Sequence, residues 1–138
     1  MTPKHIYYTK GYKYQIEGEY QCQTMIIPDK DIDTQWIRLT KGGVLTIRRG
    51  YAFDGPSGLT VDTKTFMRGS LEHDALYQLM RQGELSQLKR QQIDKRLRDV
   101  CLVDGMIRLR AWWVYRGVRL GGAMSAHPDN RREVVTAP

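Results

Sequence analysis

Two adjacent residues of this chain, His73 and Asp74, are of the types that move protons and bind hard cations, and Tyr77 follows one helical turn after the histidine. An imidazole titrates nearer neutrality than any other unperturbed side chain, so it can act as base or acid. Residues four apart share a helix face, which puts His73 and Tyr77 together and turns Asp74 about 100° away from His73. Upstream lies Phe53-Asp54-Gly55-Pro56-Ser57-Gly58, a tight turn. A carboxylate beside a carbonyl-presenting turn can bind a hard cation. Downstream, Asp94 borders an apolar stripe of Ile93, Leu97 and Val100. A carboxylate at that edge faces the preceding helix, and burial there demands a hydrogen-bonding partner. His73 and Tyr77 are available. The competing reading pairs Asp94 with Arg90 and Arg98 along its own helix, for a few tenths of a kcal/mol.

The elements that must position these residues follow from periodicity and turn signals. Segments at Ile6–Tyr8, Tyr12–Ile16, Tyr20–Ile26, Trp36–Leu39 and Val44–Arg48 are rich in strand-forming residues. Gly11 and Pro28-Asp29-Lys30-Asp31 punctuate them, and Lys41-Gly42-Gly43 reads as a hairpin turn. A first helix, capped by Asp62 or Thr63, runs to about Gln82 and stops at Gly83. Gly69, one turn before His73, leaves room for a close neighbour. Ser86 caps a second helix running to about Val103 and ended by Asp104-Gly105, and a third spans Met106 to Val118 and ends at Gly121-Gly122. Strands followed by helices make an α+β domain. The expected architecture is a small N-terminal antiparallel sheet packed with a three-helix C-terminal half, over residues 1–122, with 123–138 as a flexible tail.

Composition narrows the partners. With 138 residues, 41% hydrophobic and 27% charged, the chain fits one soluble domain. No apolar run is long enough to span a bilayer, and Met1-Thr2-Pro3-Lys4-His5 does not open a signal peptide. Export would then need lysis, a virion or a dedicated machine. A formal charge of +7 favours nucleic acid, phospholipid headgroups or acidic proteins. Cys22 and Cys101 sit in apolar-patterned segments and read as reduced core residues. The scattered histidines form no zinc constellation, and there is no Walker loop, G-x-S-x-G elbow or internal repeat.

Phe53 to Gly58, then Gly69-Ser70-Leu71-Glu72-His73-Asp74-Ala75-Leu76-Tyr77, then Asp94 with Leu97, resembles the reduced pattern of phospholipase A2 proteins in the compact form found in parvovirus capsid proteins. Over residues 6–122 the chain is also similar to a phage-associated family, domain of unknown function 1353. That similarity rests on the strand-rich start, Gly50 to Ser57, His73 to Tyr77, Asp94 and the late Val118-Arg119-Leu120-Gly121. It implies viral or prophage origin, and with it the host cytoplasm or a virion as the location, and supplies no activity. The phospholipase resemblance implies that His73 is the general base, with Asp94 and Tyr77 holding its imidazole. It implies calcium on Asp74 and on the backbone carbonyls of Phe53, Gly55 and Ser57. Asp54 adds a carboxylate inside the loop, as a further ligand or a turn-former. Ser57 stands where that loop has its second glycine, and the β-rich start lies outside the phospholipase pattern.

On the third helix Arg108, Trp112, Tyr115, Arg116 and Arg119 fall to one side, and Ile107, Ala111, Val114 and Val118 form another stripe. Basic residues interleaved with aromatics suit an anionic phospholipid surface or a nucleic-acid backbone. The same pattern also suits a core helix whose arginine stems cover apolar surface. The expected function is a phage-encoded, calcium-dependent, phospholipase-like hydrolase of membrane-lipid esters. Its alternatives are a non-enzymatic phage structural or accessory protein, in contact with virion, tail or lysis proteins, and a basic nucleic-acid-associated protein.

Overall fold

A computed structural model describes residues 8–9, 14–53 and 64–126. Among them the strands are β1 (Tyr8–Thr9), β2 (Tyr14–Ile16), β3 (Tyr20–Gln23), β4 (Ile32–Asp33), β5 (Ile37–Leu39), β6 (Val44–Ile47) and β7 (Ala52–Phe53). The helices are α1 (Met67–Arg81), α2 (Arg90–Val103), preceded by a 3-10 turn at Gln87–Lys89, and α3 (Arg108–Ala126). The α+β order is as expected, and all strand pairs are antiparallel. The single expected sheet is instead two, ordered β1-β2-β7 and β3-β6-β5-β4. Two-residue strands such as β4 and β7 carry too little propensity to be read locally. They exist because Ile32 pairs with Leu39, and Ala52 with Gln15.

The Lys41-Gly42-Gly43 turn joins β5 to β6. Gly43 donates its N–H to the Thr40 carbonyl at 2.8 Å, and its φ of 85° is one that side chains other than glycine rarely adopt. Along β3, β5 and β6 the side chains alternate. Tyr20, Cys22, Ile37, Leu39, Leu45 and Ile47 are buried, while Gln21 and Arg38 face outward. On the outer face Gln21 reaches its register partner Thr46, Nε2 to Oγ1, at 3.0 Å.

The buried face packs on α1, which is the central element. Every residue from Met67 to Met80 except Asp74 is buried. A helix buried all round that carries Arg68, Glu72, His73 and Gln78 must give each of them a partner. α1 ends as expected: Gly83 has φ 76° and Glu84 donates to the Leu79 carbonyl at 2.9 Å. Its start follows Phe66 without a side-chain cap, and Asp62 and Thr63 lie outside the described residues. Ser86 caps the next segment by accepting from Leu88 N–H at 3.1 Å. A Cβ on Gly69 would lie 3.0 Å from Leu97 Cδ1 and 3.1 Å from Cys101 Sγ, so the small residue lets α2 come close to α1.

α3 corrects the expected boundary. It does not stop at Gly121-Gly122 but continues to Ala126, which is buried and accepts from Gln87 Nε2 at 2.6 Å. The first four residues of the expected tail are therefore helical, and residues 127–138 lie outside the described part. A smaller apolar cluster of Leu97, Cys101, Met106 and Ala111, with Val114 and Val118 against it, joins α2 to α3. Ile107, expected in that stripe, is instead 69% exposed. Cys22 and Cys101 are free and buried. Among the described residues no helix is long and apolar enough to cross a membrane.

Candidate functional site

The short connection after Gly83 folds α2 back against α1, and Asp94 then meets the His73 and Tyr77 face. His73 Nε2 lies 2.8 Å from Asp94 Oδ1, and the Tyr77 hydroxyl donates to the same oxygen at 2.6 Å. The His73 and Tyr77 rings pack against each other, tilted by 31°, with centroids 4.1 Å apart. The Asp94 side chain is fully buried, whereas His73 keeps 10% of its side chain accessible.

The other carboxylate oxygen was not foreseen from the sequence. Arg119 Nη1, from α3, donates to Asp94 Oδ2 at 3.0 Å, and Arg90 Nη1 lies 3.6 Å from the same atom. Asp94 therefore ties all three helices together. Arg90 is thus a partner as one sequence reading held. Arg98 is not: it bonds Asp99 and lies over the Tyr115 ring. Arg119 and Tyr115 accordingly turn toward α2 and leave the outward cluster to which the sequence assigned them, while Arg108, Trp112 and Arg116 remain exposed. The signal for Arg119 was faint, a lone cation one turn beyond Tyr115. Gly122 is the companion clue, because a Cβ there would press into the Tyr77 hydroxyl and sit 3.2 Å from Arg90 Nη1.

These contacts set the charge states. Burial alone would raise the Asp94 pKa. The hydrogen bonds from His73 and Tyr77, the electrostatic attraction of the His73 ring and the Arg119 hydrogen bond outweigh it and hold the carboxyl below its ordinary value. Burial and the bond to Asp94 push the Tyr77 phenol above its usual range, so it stays a donor. An ionised carboxylate can only accept, so His73 Nε2 must carry the proton directed at Asp94. In the neutral ring Nδ1 is then left with the lone pair, and among the described residues it has no hydrogen-bond partner. That is the tautomer a general base requires.

Asp74 lies on another face. Its i+4 neighbour Gln78 accepts from the Tyr51 hydroxyl at 3.1 Å, so this side of α1 looks toward Tyr51, the residue before β7. Ile16 N–H donates to the Tyr51 carbonyl at 3.0 Å, and period-two alternation makes Tyr14 and Phe53 the next hydrogen-bonded pair. One lone pair of the Phe53 carbonyl thus points at β2. Asp54, Gly55 and Ser57 lie outside the described residues. Among the described residues no group of three or more His, Cys, Asp or Glu side chains could hold a metal.

A second buried polar network escaped the sequence reading. Glu72, one residue before His73, faces the sheet. It accepts from the Tyr20 hydroxyl at 2.5 Å and from Arg96 Nε at 2.6 Å. Arg68 grips Asp104 at the end of α2 through Nε at 3.0 Å and Nη2 at 2.9 Å, and it reaches the Tyr20 hydroxyl at 3.3 Å. Arg96 also approaches Cys22 Sγ at 3.7 Å. The signal lay in α1 itself, where Arg68 and Glu72 stand four apart, on one face of a helix that also carries the apolar Leu71, Leu76, Leu79 and Met80. Neighbouring residues of one helix thus anchor it in directions about 100° apart, Glu72 to Tyr20 of β3 and Arg96 of α2, and His73 to Asp94 of α2.

No family model, curated protein or solved structure matches this chain.

Proposed function

We propose that the protein is a phage- or prophage-encoded hydrolase of phospholipid esters, in which His73 activates the attacking water. The observation that carries this is the contact of His73 Nε2 with a buried, doubly cation-paired Asp94, which leaves Nδ1 as the basic nitrogen. Water bound at Nδ1 gives up a proton as its oxygen attacks the ester carbonyl. The ring then returns that proton to the departing alkoxide as the acyl C–O bond breaks, releasing a fatty acid and a lysolipid. Asp94 and Tyr77 hold the ring in place throughout, and Asp94 stabilises the imidazolium that forms. Asp74 and the carbonyls of the Phe53–Gly58 turn are hard oxygen donors of the kind calcium takes. Bound there, calcium supplies charge stabilisation for the ester oxyanion. The net charge of +7 suits an anionic phospholipid surface as the substrate's setting.

One observation favours a second reading. Asp94 bonds residues of α1 and α3 from its place on α2, as a purely architectural junction in a phage structural or accessory protein would. His73→Gln separates the two. With calcium and phosphatidylglycerol vesicles, wild type should release fatty acid at least about 10²-fold faster than the variant, the usual worth of a positioned base. Release no faster than from His73→Gln, across several lipid classes, leaves the architectural reading.

A further inference from the structure

We infer that the outward face of α3 is a docking surface for an anionic lipid bilayer. Leu109, Trp112, Trp113, Arg116 and Leu120 recur at helical spacing and fall within about 100° of arc, opposite Ala111, Val114 and Val118. The inner three pack on α2 and the outer five meet solvent. Leu109 is 65% exposed, Trp113 62% and Leu120 81%, a stripe of large apolar side chains of the kind that marks an interaction surface. Trp112 and Trp113 meet edge to face at 5.2 Å, and the Arg116 guanidinium lies 5.6 Å over the Trp112 ring. The aromatic pair is thereby pre-organised beside a cation.

The charge on this helix selects the occupant. Residues 108–126 include Arg108, Arg110, Arg116 and Arg119 and no Asp or Glu. With Arg119 turned inward to Asp94, Arg108 and Arg116 flank the stripe in solvent. A second copy of so cationic a face would be repelled. A nucleic-acid backbone would satisfy the arginines but give Leu109 and Leu120 nothing to bury against. A bilayer offers both, phosphates to the guanidiniums and the acyl boundary to the Leu and Trp side chains. The inference is independent of hydrolysis, although it places the lipid against the helix whose Arg119 holds Asp94.

The test is co-sedimentation of the full chain with phosphatidylglycerol and phosphatidylcholine vesicles in EDTA at low salt, alongside tryptophan emission. Wild type should bind the anionic vesicles with a blue shift and bind phosphatidylcholine at least tenfold more weakly. Trp113→Gln with Leu120→Gln should weaken binding at least tenfold without changing the melting temperature, since both side chains sit in solvent. Arg108→Gln with Arg116→Gln should weaken it and flatten its salt dependence. Absence of binding by wild type overturns the inference, as does unchanged binding by the Trp113/Leu120 variant. A wild-type dimer that this variant converts to monomer reassigns the face to self-association. Tighter binding to duplex DNA, unaffected by this variant but weakened by Arg108→Gln with Arg116→Gln, reassigns it to nucleic acid. Binding is scored without calcium, so vesicle binding with no ester release retains this inference and removes the hydrolase. Release without stripe-dependent binding does the reverse.

Discussion

Replacing Gly122 by alanine should destabilise the protein, although alanine is the better helix former by about 1 kcal/mol. The added Cβ would press into the Tyr77 hydroxyl and lie 3.1 Å from Tyr77 Cζ and 3.2 Å from Arg90 Nη1. Tyr77 has little room to retreat, because its ring packs on His73 at 4.1 Å and its hydroxyl is committed to Asp94. Either α3 moves outward and loosens Arg119 from Asp94, or Tyr77 releases Asp94. Overpacking costs about 1–3 kcal/mol, and losing a hydrogen bond to a charged acceptor about 1.5–3. After the gain in helix propensity, a net loss of about 1.5–5 kcal/mol remains. At about 4 °C per kcal/mol for a domain near this size, the melting temperature falls by about 6 °C or more. Gly117 and Gly121 are internal controls, since a Cβ at either meets nothing within 4 Å. Gly117→Ala and Gly121→Ala should each raise stability by about 0.5–1 kcal/mol. Urea and thermal melts of the three variants measure this directly. Repeating Gly122→Ala in a Tyr77→Phe background, where the hydroxyl is gone, should recover part of the loss. If Gly122→Ala melts as high as Gly121→Ala, α3 does not pack on Tyr77 as described, and the Arg119–Asp94 contact loses its basis.

Asp94→Asn leaves two arginines facing a neutral amide and should cost about 3–5 kcal/mol at neutral pH. Because the Asp94 pKa is lowered in the folded state, its contribution is full above the ordinary carboxylate value and disappears as pH falls through the depressed one. Urea melts should therefore show the gap between wild type and variant narrowing only below about pH 4. Calcium should raise the wild-type melting temperature by ligand linkage, and Asp74→Asn should weaken that rise. Calorimetry with no heat at millimolar calcium would remove the metal from the proposal. Burial pushes the Cys22 and Cys101 thiols up to about 12. Both should resist Ellman's reagent at pH 8 in native protein and react fully in denaturant, and a fast native thiol would contradict the buried placement.

Much of this fold is local and therefore legible in the chain. The Lys41-Gly42-Gly43 turn, the Gly83 stop and the Ser86 cap each rest on one residue's backbone or hydrogen-bonding preference, which acts within a few positions. Sharing of one helix face by His73 and Tyr77 follows from helical geometry. The meeting with Asp94 needed one further step, a short connection that makes two helices antiparallel. The two-residue strands β4 and β7 were not legible, since partners up to 39 residues away make them strands.

Residue types and spacing by themselves determined the α+β order, the reduced cysteines and a His-Asp-Tyr cluster with Asp94 at the edge of an apolar stripe. Only tertiary structure decided what surrounds that cluster. Gly121-Gly122 reads locally as a helix end, yet packing keeps the helix going because Gly122 is the space Tyr77 occupies. Arg119 reads as one more outward cation, yet a fully buried carboxylate draws it inward. Glu72 reads as an ordinary helical glutamate until Tyr20 and Arg96 arrive from other elements to satisfy it. The physical reason is the same in each case. Burying a charge is costly unless a partner is present, and the partner comes from a part of the chain that local preference cannot see.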